Sequence, residues 1–148
     1  MRATREITIA ATPATLWALL WDVPRMVECV PGCVEAKEME PHRRYTARMT
    51  QKVGLVSLSV PLDVEIVAAE PPRHLTLDAK GRDPVVGAEI KMQVTLDIDE
   101  RESKSVLRIN VEGRVLGKLG TLGHGVIERK AEATLEEFGV RLRKAARD

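Results

Sequence analysis

Every second residue is apolar along three stretches of the chain. Val56, Leu58, Val60, Leu62, Val64 and Ile66 alternate with Ser57, Ser59, Asp63 and Glu65. Ile90, Met92, Val94, Leu96 and Ile98 alternate with Glu89, Lys91, Gln93, Thr95, Asp97 and Asp99. Leu107, Ile109 and Val111 alternate with Arg108, Asn110 and Glu112. A period of two sets one side of a strand in a core and the other in water, as antiparallel sheets require. Arg2–Ala10 alternates in the same way, and shorter strands are predicted over Val34–Met39, Tyr45–Lys52 and Leu75–Lys80. Turn residues separate the strands at Glu40-Pro41-His42, Lys52-Val53-Gly54, Glu70-Pro71-Pro72, Gly81–Pro84 and Asp99–Lys104. Pro61 falls inside a strand pattern. It cannot donate to a ladder, so an edge position or a bulge is expected there.

Helical signals flank this block. Thr12 can cap and Pro13 can open a short helix running to Trp21. Asp22-Val23-Pro24 breaks it, and a second short helix is predicted over Arg25–Val30, ended by Pro31-Gly32. From Gly120 to Arg147 the period becomes helical, with Leu122, Val126, Ile127, Ala131, Thr134, Leu135, Phe138 and Leu142 as the apolar face. Glutamates lie early in this helix and arginines late, which complements its dipole. The fold class is therefore α+β. About seven antiparallel strands share one dry face, and a long C-terminal helix is available to cover it. A curved sheet around a helix need not close fully, and the space left between them is a candidate cavity.

Composition narrows the functional classes. A chain of 148 residues is expected to be a single domain, 1–148. Lys plus Arg is 23 against 22 for Asp plus Glu, so no basic stripe is available for phosphates and no nucleic acid partner is expected. Trp17, Trp21, Tyr45 and Phe138 are too scattered for a base-stacking platform. The first residues lack the apolar run of a secretory signal, and the charge-free stretch from Ile7 to Trp21 is too short to span a bilayer. A cytoplasmic protein is expected. Cys29 and Cys33 are spaced C-x-x-x-C with no histidine nearby. Reduced, buried thiols are expected, with no metal and no cofactor.

Candidate chemistry is sparse. No carboxylate or histidine shares register with the dry strand faces, so no acid–base pair is expected in the cavity and no enzyme activity follows. His42 and His74 are expected to point outward, and His124, between two glycines, is either a surface residue or a polar anchor at the mouth. Tyr45 offers a hydroxyl on an apolar ring, inside the cavity or at its rim. Gly113, Gly117, Gly120, Gly123 and Gly125 form no phosphate loop, since Gly-Lys-Ser/Thr is missing. They read as a joint that lets the last helix tilt, or as sites of tight backbone packing. Leu55, Val85, Val86, Leu116 and Leu119 sit in or beside turns near the expected mouth, where they can touch a membrane or a partner.

Three segments resemble a known family. They are Thr12-Pro13-Ala14-Thr15-Leu16-Trp17-Ala18-Leu19-Leu20-Trp21-Asp22, Cys29-Val30-Pro31-Gly32-Cys33-Val34-Glu35, and Leu116-Gly117-Lys118-Leu119-Gly120-Thr121-Leu122-Gly123-His124-Gly125-Val126-Ile127. In their order they resemble the carbon monoxide dehydrogenase CoxG (CoxG-like) family of the START-like, polyketide-cyclase-like (SRPBCC) helix-grip superfamily. Trp21 stands where a small or polar residue is expected, and Val30 where Leu is usual. The resemblance implies a helix-grip fold: a seven-stranded sheet around the long last helix, with two short helices between strands 1 and 2. It implies a carrier of a lipid- or quinone-like molecule. It also implies molybdenum hydroxylase subunits as partners, those of carbon monoxide dehydrogenase and related enzymes, and a peripheral, transient contact with the inner face of the membrane.

The expectation from the residues and the resemblance together is a non-catalytic module that encloses a hydrophobic small molecule. Its wall is expected to comprise Trp17, Leu20, Val30, Tyr45, Met49, Leu58, Val60, Met92, Val94, Ile109, Val111, Val126 and Phe138. The rivals are a cyclase, dehydratase or hydrolase of the same superfamily, and a protein adaptor with a filled core.

Overall fold

A computed structural model describes residues 1–85 and 87–147, with the side chains of Lys118 and Leu119 outside the described set. The chain runs β1 (Arg2–Ile9), α1 (Pro13–Trp21), α2 (Val23–Glu28), β2 (Cys33–Glu40), β3 (Arg44–Val53), β4 (Val56–Glu70), β5 (His74–Asp83), β6 (Ala88–Arg101), β7 (Lys104–Gly117), a 3-10 turn (Lys118–Leu122) and α3 (His124–Arg147). The strands form one seven-stranded antiparallel sheet in the order β1-β7-β6-β5-β4-β3-β2. The sheet curls around α3, the architecture expected of a helix grip.

Local chemistry accounts for the elements. Thr12 caps α1 through its hydroxyl, which accepts from Thr15 N–H at 3.2 Å, and Pro13 opens the first turn. α2 starts at Val23, earlier than the sequence pattern predicts, because Pro24 is tolerated in a first turn whose N–H groups have no helical partner. The strands outrun their apolar alternation. β6 and β7 continue through polar Asp99–Arg101 to a two-residue turn, Glu102-Ser103, where both residues have positive φ. That geometry matches the right-handed twist of the paired strands.

Pro61 takes a local edge, as its missing N–H requires. It lies in the interior of β4, paired with Arg48 of β3, and the bulge of this strand lies at Ile66–Ala68. The ladder to β5 begins only at Leu62↔Gly81. Backbone nitrogens of residues 59 and 61 point the same way, and Ser59 N–H is met by the Asp83 carboxylate at 3.4 Å. A side chain has replaced the ladder where proline has no N–H to give.

The core is the inner face of the sheet, covered by α1, α2 and α3. Leu16, Leu20, Leu75, Leu96, Leu107, Ile109 and Leu142 are almost fully buried. Each such side chain contributes about 1.5–3 kcal/mol relative to exposure. On the outer face, charges pair across strands, for example Arg108 with Glu6 at 3.1 Å and with Asp99 at 3.4 Å. These carboxylates hold the Arg108 guanidinium above its ordinary pKa.

Candidate ligand cavity

α3 does not cover the sheet evenly. Its buried residues, Leu135, Phe138, Gly139 and Leu142, all lie from the middle of the helix onward. Beneath its first half is a cavity of about 220 Å³. α3 contributes Ile127, Lys130, Ala131, Thr134, Leu135 and Phe138 to the wall, and α2 contributes Met26 and Val27. Met1, Val30 and Cys33 add to it, and the rest comes from inner-face positions of β3–β7, among them Met49, Leu58, Leu77, Met92, Val94 and Val111.

The Cys-x-x-x-Cys turn builds one side. Gly32 has φ +85°, and an added Cβ would lie 2.2 Å from the Thr50 carbonyl oxygen, so only glycine fits. That close approach docks the turn on β3. Thr50 N–H donates to the Gly32 carbonyl at 2.7 Å, and the Gln51 amide donates to the Pro31 carbonyl at 2.6 Å. Val30 and Cys33, on either side of the turn, are thereby held in the wall. Both cysteines are free and buried. Burial pushes the Cys33 thiol up to about 11. It raises Cys29 as well, with Arg25 and Arg141 pulling the other way.

The structure brings Val30, Met49, Leu58, Met92, Val94, Ile109, Val111 and Phe138 together around the cavity. The other expected wall residues lie elsewhere, each for a physical reason. α1 stoppers the closed end of the sheet against β6, β7 and α3, so Leu20 is core and Trp17 stacks on Trp21 at 5.4 Å. Trp21 in turn stacks on His42 at 4.2 Å, which ties α1 to the β2–β3 turn and leaves Trp21 off the cavity. The Tyr45 hydroxyl accepts the His42 N–H at 2.9 Å. Its pKa is raised by burial and, less, by Glu38 and Asp22, while the His42 hydrogen bond lowers it. Val60 packs over Gly81, whose Cβ position would be 2.6 Å from Val60 Cγ1. Val126 is one residue out of phase, and Ile127 takes the inward place.

The expected wall omitted Lys130, and it omitted Ile127, Ala131 and Thr134 although all three belong to the apolar face read for the last helix. The i, i+4, i+7, i+11 row Ile127–Ala131–Thr134–Phe138 already put the three beside Phe138, the one residue of that row assigned to the wall.

Chemically the cavity is close to inert. Among the described residues of its wall, Lys130 is the one charged side chain, and neither carboxylate nor histidine is present. No group of three potential metal ligands occurs among the described residues. A second hollow, of about 1340 Å³, is open to solvent and lined by charges such as Arg44, Asp63, Lys80, Glu112 and Glu128. Tyr45 and His124 border that hollow. Its polar wall does not suit an apolar guest. His74, on the outer face, bridges Asp97 at 2.7 Å and Thr76 at 2.8 Å.

At the end of the sheet near the start of α3, turn residues Leu55 and Val85 are 98% and 89% exposed, and Leu116 is exposed beside them. Val86 and the Leu119 side chain lie outside the described residues. Among the described residues no helix is long and apolar enough to cross a membrane.

The family profile of the carbon monoxide dehydrogenase component CoxG matches residues 6–146. No curated protein matches the chain. Among solved structures, a conserved protein from Geobacillus kaustophilus superposes with a TM-score of 0.88 at 18% identity, covering 99% of this chain and 95% of that one. Protein CV1439 from Chromobacterium violaceum gives 0.73 at 11% identity, with 99% and 97% covered. A START superfamily protein from Mycobacterium smegmatis gives 0.71 at 11%, again with 99% and 97% covered. These likenesses establish a START-like helix-grip fold.

Proposed function

The chain belongs to the carbon monoxide dehydrogenase CoxG family, and on that premise we propose that it is a non-catalytic carrier of a hydrophobic small molecule, lipid- or quinone-like. The observation that carries this reading is the cavity under α3, lined almost wholly by aliphatic side chains and methionines. Apolar walls with few polar groups are what ligand pockets need. General acid–base chemistry needs a titratable group at the reacting atom, and a lone lysine without an acidic partner is a poor start for it.

Size sharpens the reading. An apolar cavity of about 150 Å³ stays dry and admits a benzene-sized guest. The space of about 220 Å³ here takes a single ring or a short chain. A longer tail requires the first half of α3 to swing away from the sheet. Gly123, with φ +90° and open space around its Cβ position, joins that end of the helix to the turn before it.

The exposed tips Leu55 and Val85 favour a transient contact of this end with the membrane surface, on the inner face and next to the cavity. Molybdenum hydroxylase subunits are the partners that the family suggests. Native mass spectrometry of gently extracted protein tests the carrier. A retained apolar adduct supports it, and a clean apo mass that persists after incubation with short-chain lipids and quinones contradicts it.

A further inference from the structure

We infer that the cavity under α3 takes hydrocarbon alone: it encloses an alkyl or prenyl chain of the cargo and leaves the polar head outside. This rests on the carrier reading above, and it states which part of a lipid- or quinone-like molecule enters.

Almost no polar atom faces this space. The wall residues that could meet a head group are spent or turned away. The Gln51 amide donates to the Pro31 carbonyl at 2.6 Å, and the Thr134 hydroxyl donates to the Lys130 carbonyl at 2.8 Å. Lys130, half-buried, lends the wall its apolar stem. Cys33, held as a neutral thiol, offers only a weak donor. The backbone groups of the wall strands are directed along the ladders from β3 to β7, in the plane of the sheet and not into the cavity.

A carbonyl, hydroxyl or carboxylate drawn inside would give up water and gain no partner. Each such group weakens binding by about tenfold or more. Each methylene drawn inside strengthens it by about fourfold. The cavity therefore sorts the two ends of an amphiphile.

Size and outlet suit a chain. An apolar cavity of about 150 Å³ admits a six-carbon ring, so the space of about 220 Å³ admits roughly nine carbons. Toward the exposed tips the wall includes Val53 and Val115. Leu116 follows Val115 directly, and Leu55 stands two residues beyond Val53, both of them exposed. A chain leaving past them stays on apolar surface until its head reaches water.

Isothermal titration of the intact protein with 1-octanol and 4-octanol separates a threaded chain from an enclosed head. The two isomers have the same atoms and differ in where the hydroxyl sits. Wild type is expected to bind 1-octanol at least about tenfold tighter, because 4-octanol must bury its hydroxyl unpaired or leave half its chain in water. Octanoate and octyltrimethylammonium, with heads that stay in water, should match each other within about tenfold at physiological salt. Ala131→Leu, which fills the space, should remove 1-octanol binding. Equal binding of the two octanols, or a wider gap between the two charged heads, means that a polar group is met inside; the hydrocarbon-only inference then falls and the carrier stands. Binding of 1-octanol that survives in Ala131→Leu puts the chain elsewhere and overturns the inference as well. If none of the probes binds wild type, inference and carrier fall together.

Discussion

The two halves of α3 face the same sheet with different results. The second half is anchored. Gly139 comes so near β1 that an added Cβ would be 2.5 Å from Ile7 Cδ1. Arg143 donates to the Thr8 carbonyl at 3.0 Å, and Glu136 pairs with Arg5 at 2.9 Å. The first half has half-buried Val126, Ile127 and Ala131, with a void beneath. Among the described residues no hydrogen bond or ion pair ties it to the sheet. With anchoring at one end and a gap at the other, stability and binding should separate along the helix.

Substitutions can break that separation if it is wrong. The largest effect belongs to the anchored half. Leu142 is fully buried, and Leu142→Ala should cost about 2–5 kcal/mol, seen as a lower urea midpoint with unchanged slope. Ile127→Ala, beside the void, should cost less than about 1 kcal/mol by the same measurement.

Next comes the thiol in the cavity wall. The folded pKa of Cys33 is raised to about 11 from an ordinary 9.0. The neutral thiol is thus favoured in the fold. Its contribution is complete below pH 9 and is lost as pH rises from 9 to 11. That loss is about 2–3 kcal/mol, and Cys33→Ala should flatten the decline in unfolding titrations.

Ala131→Leu fills the gap. It should raise stability by less than about 1 kcal/mol in thermal unfolding while abolishing the adduct in native mass spectra. Loss of both would show that the two halves pack alike. The smallest effect is expected from Glu136→Gln, which removes an exposed clamp to Arg5. It should cost about 0.2–1 kcal/mol at low salt and less at high salt.

Much of this was readable in the chain. Period-two alternation marked the strands through Val56–Ile66 and Ile90–Ile98, and their parity placed Met49, Leu58, Met92, Val94 and Val111 inward. Parity says which face a residue takes but not what covers that face. Trp17, Leu20 and Val60 were inward and apolar, yet α1 and Gly81 fill the space beside them. Lys130 escaped notice because a charged residue on an amphipathic helix is expected to face water, and only the missing cover over the sheet turns it into wall. The Trp21–His42 stack depends on a turn conformation with φ +54° at His42, which the sequence pattern does not report.

Xenon-pressurised crystallography tests the uneven cover and its void most directly, because xenon enters dry apolar voids. A xenon site bounded by Met49, Val94, Val111, Ala131 and Phe138 is predicted, and none between the second half of α3 and β1. Ile127 and Ala131 in van der Waals contact with the sheet, with no xenon between them, would contradict it.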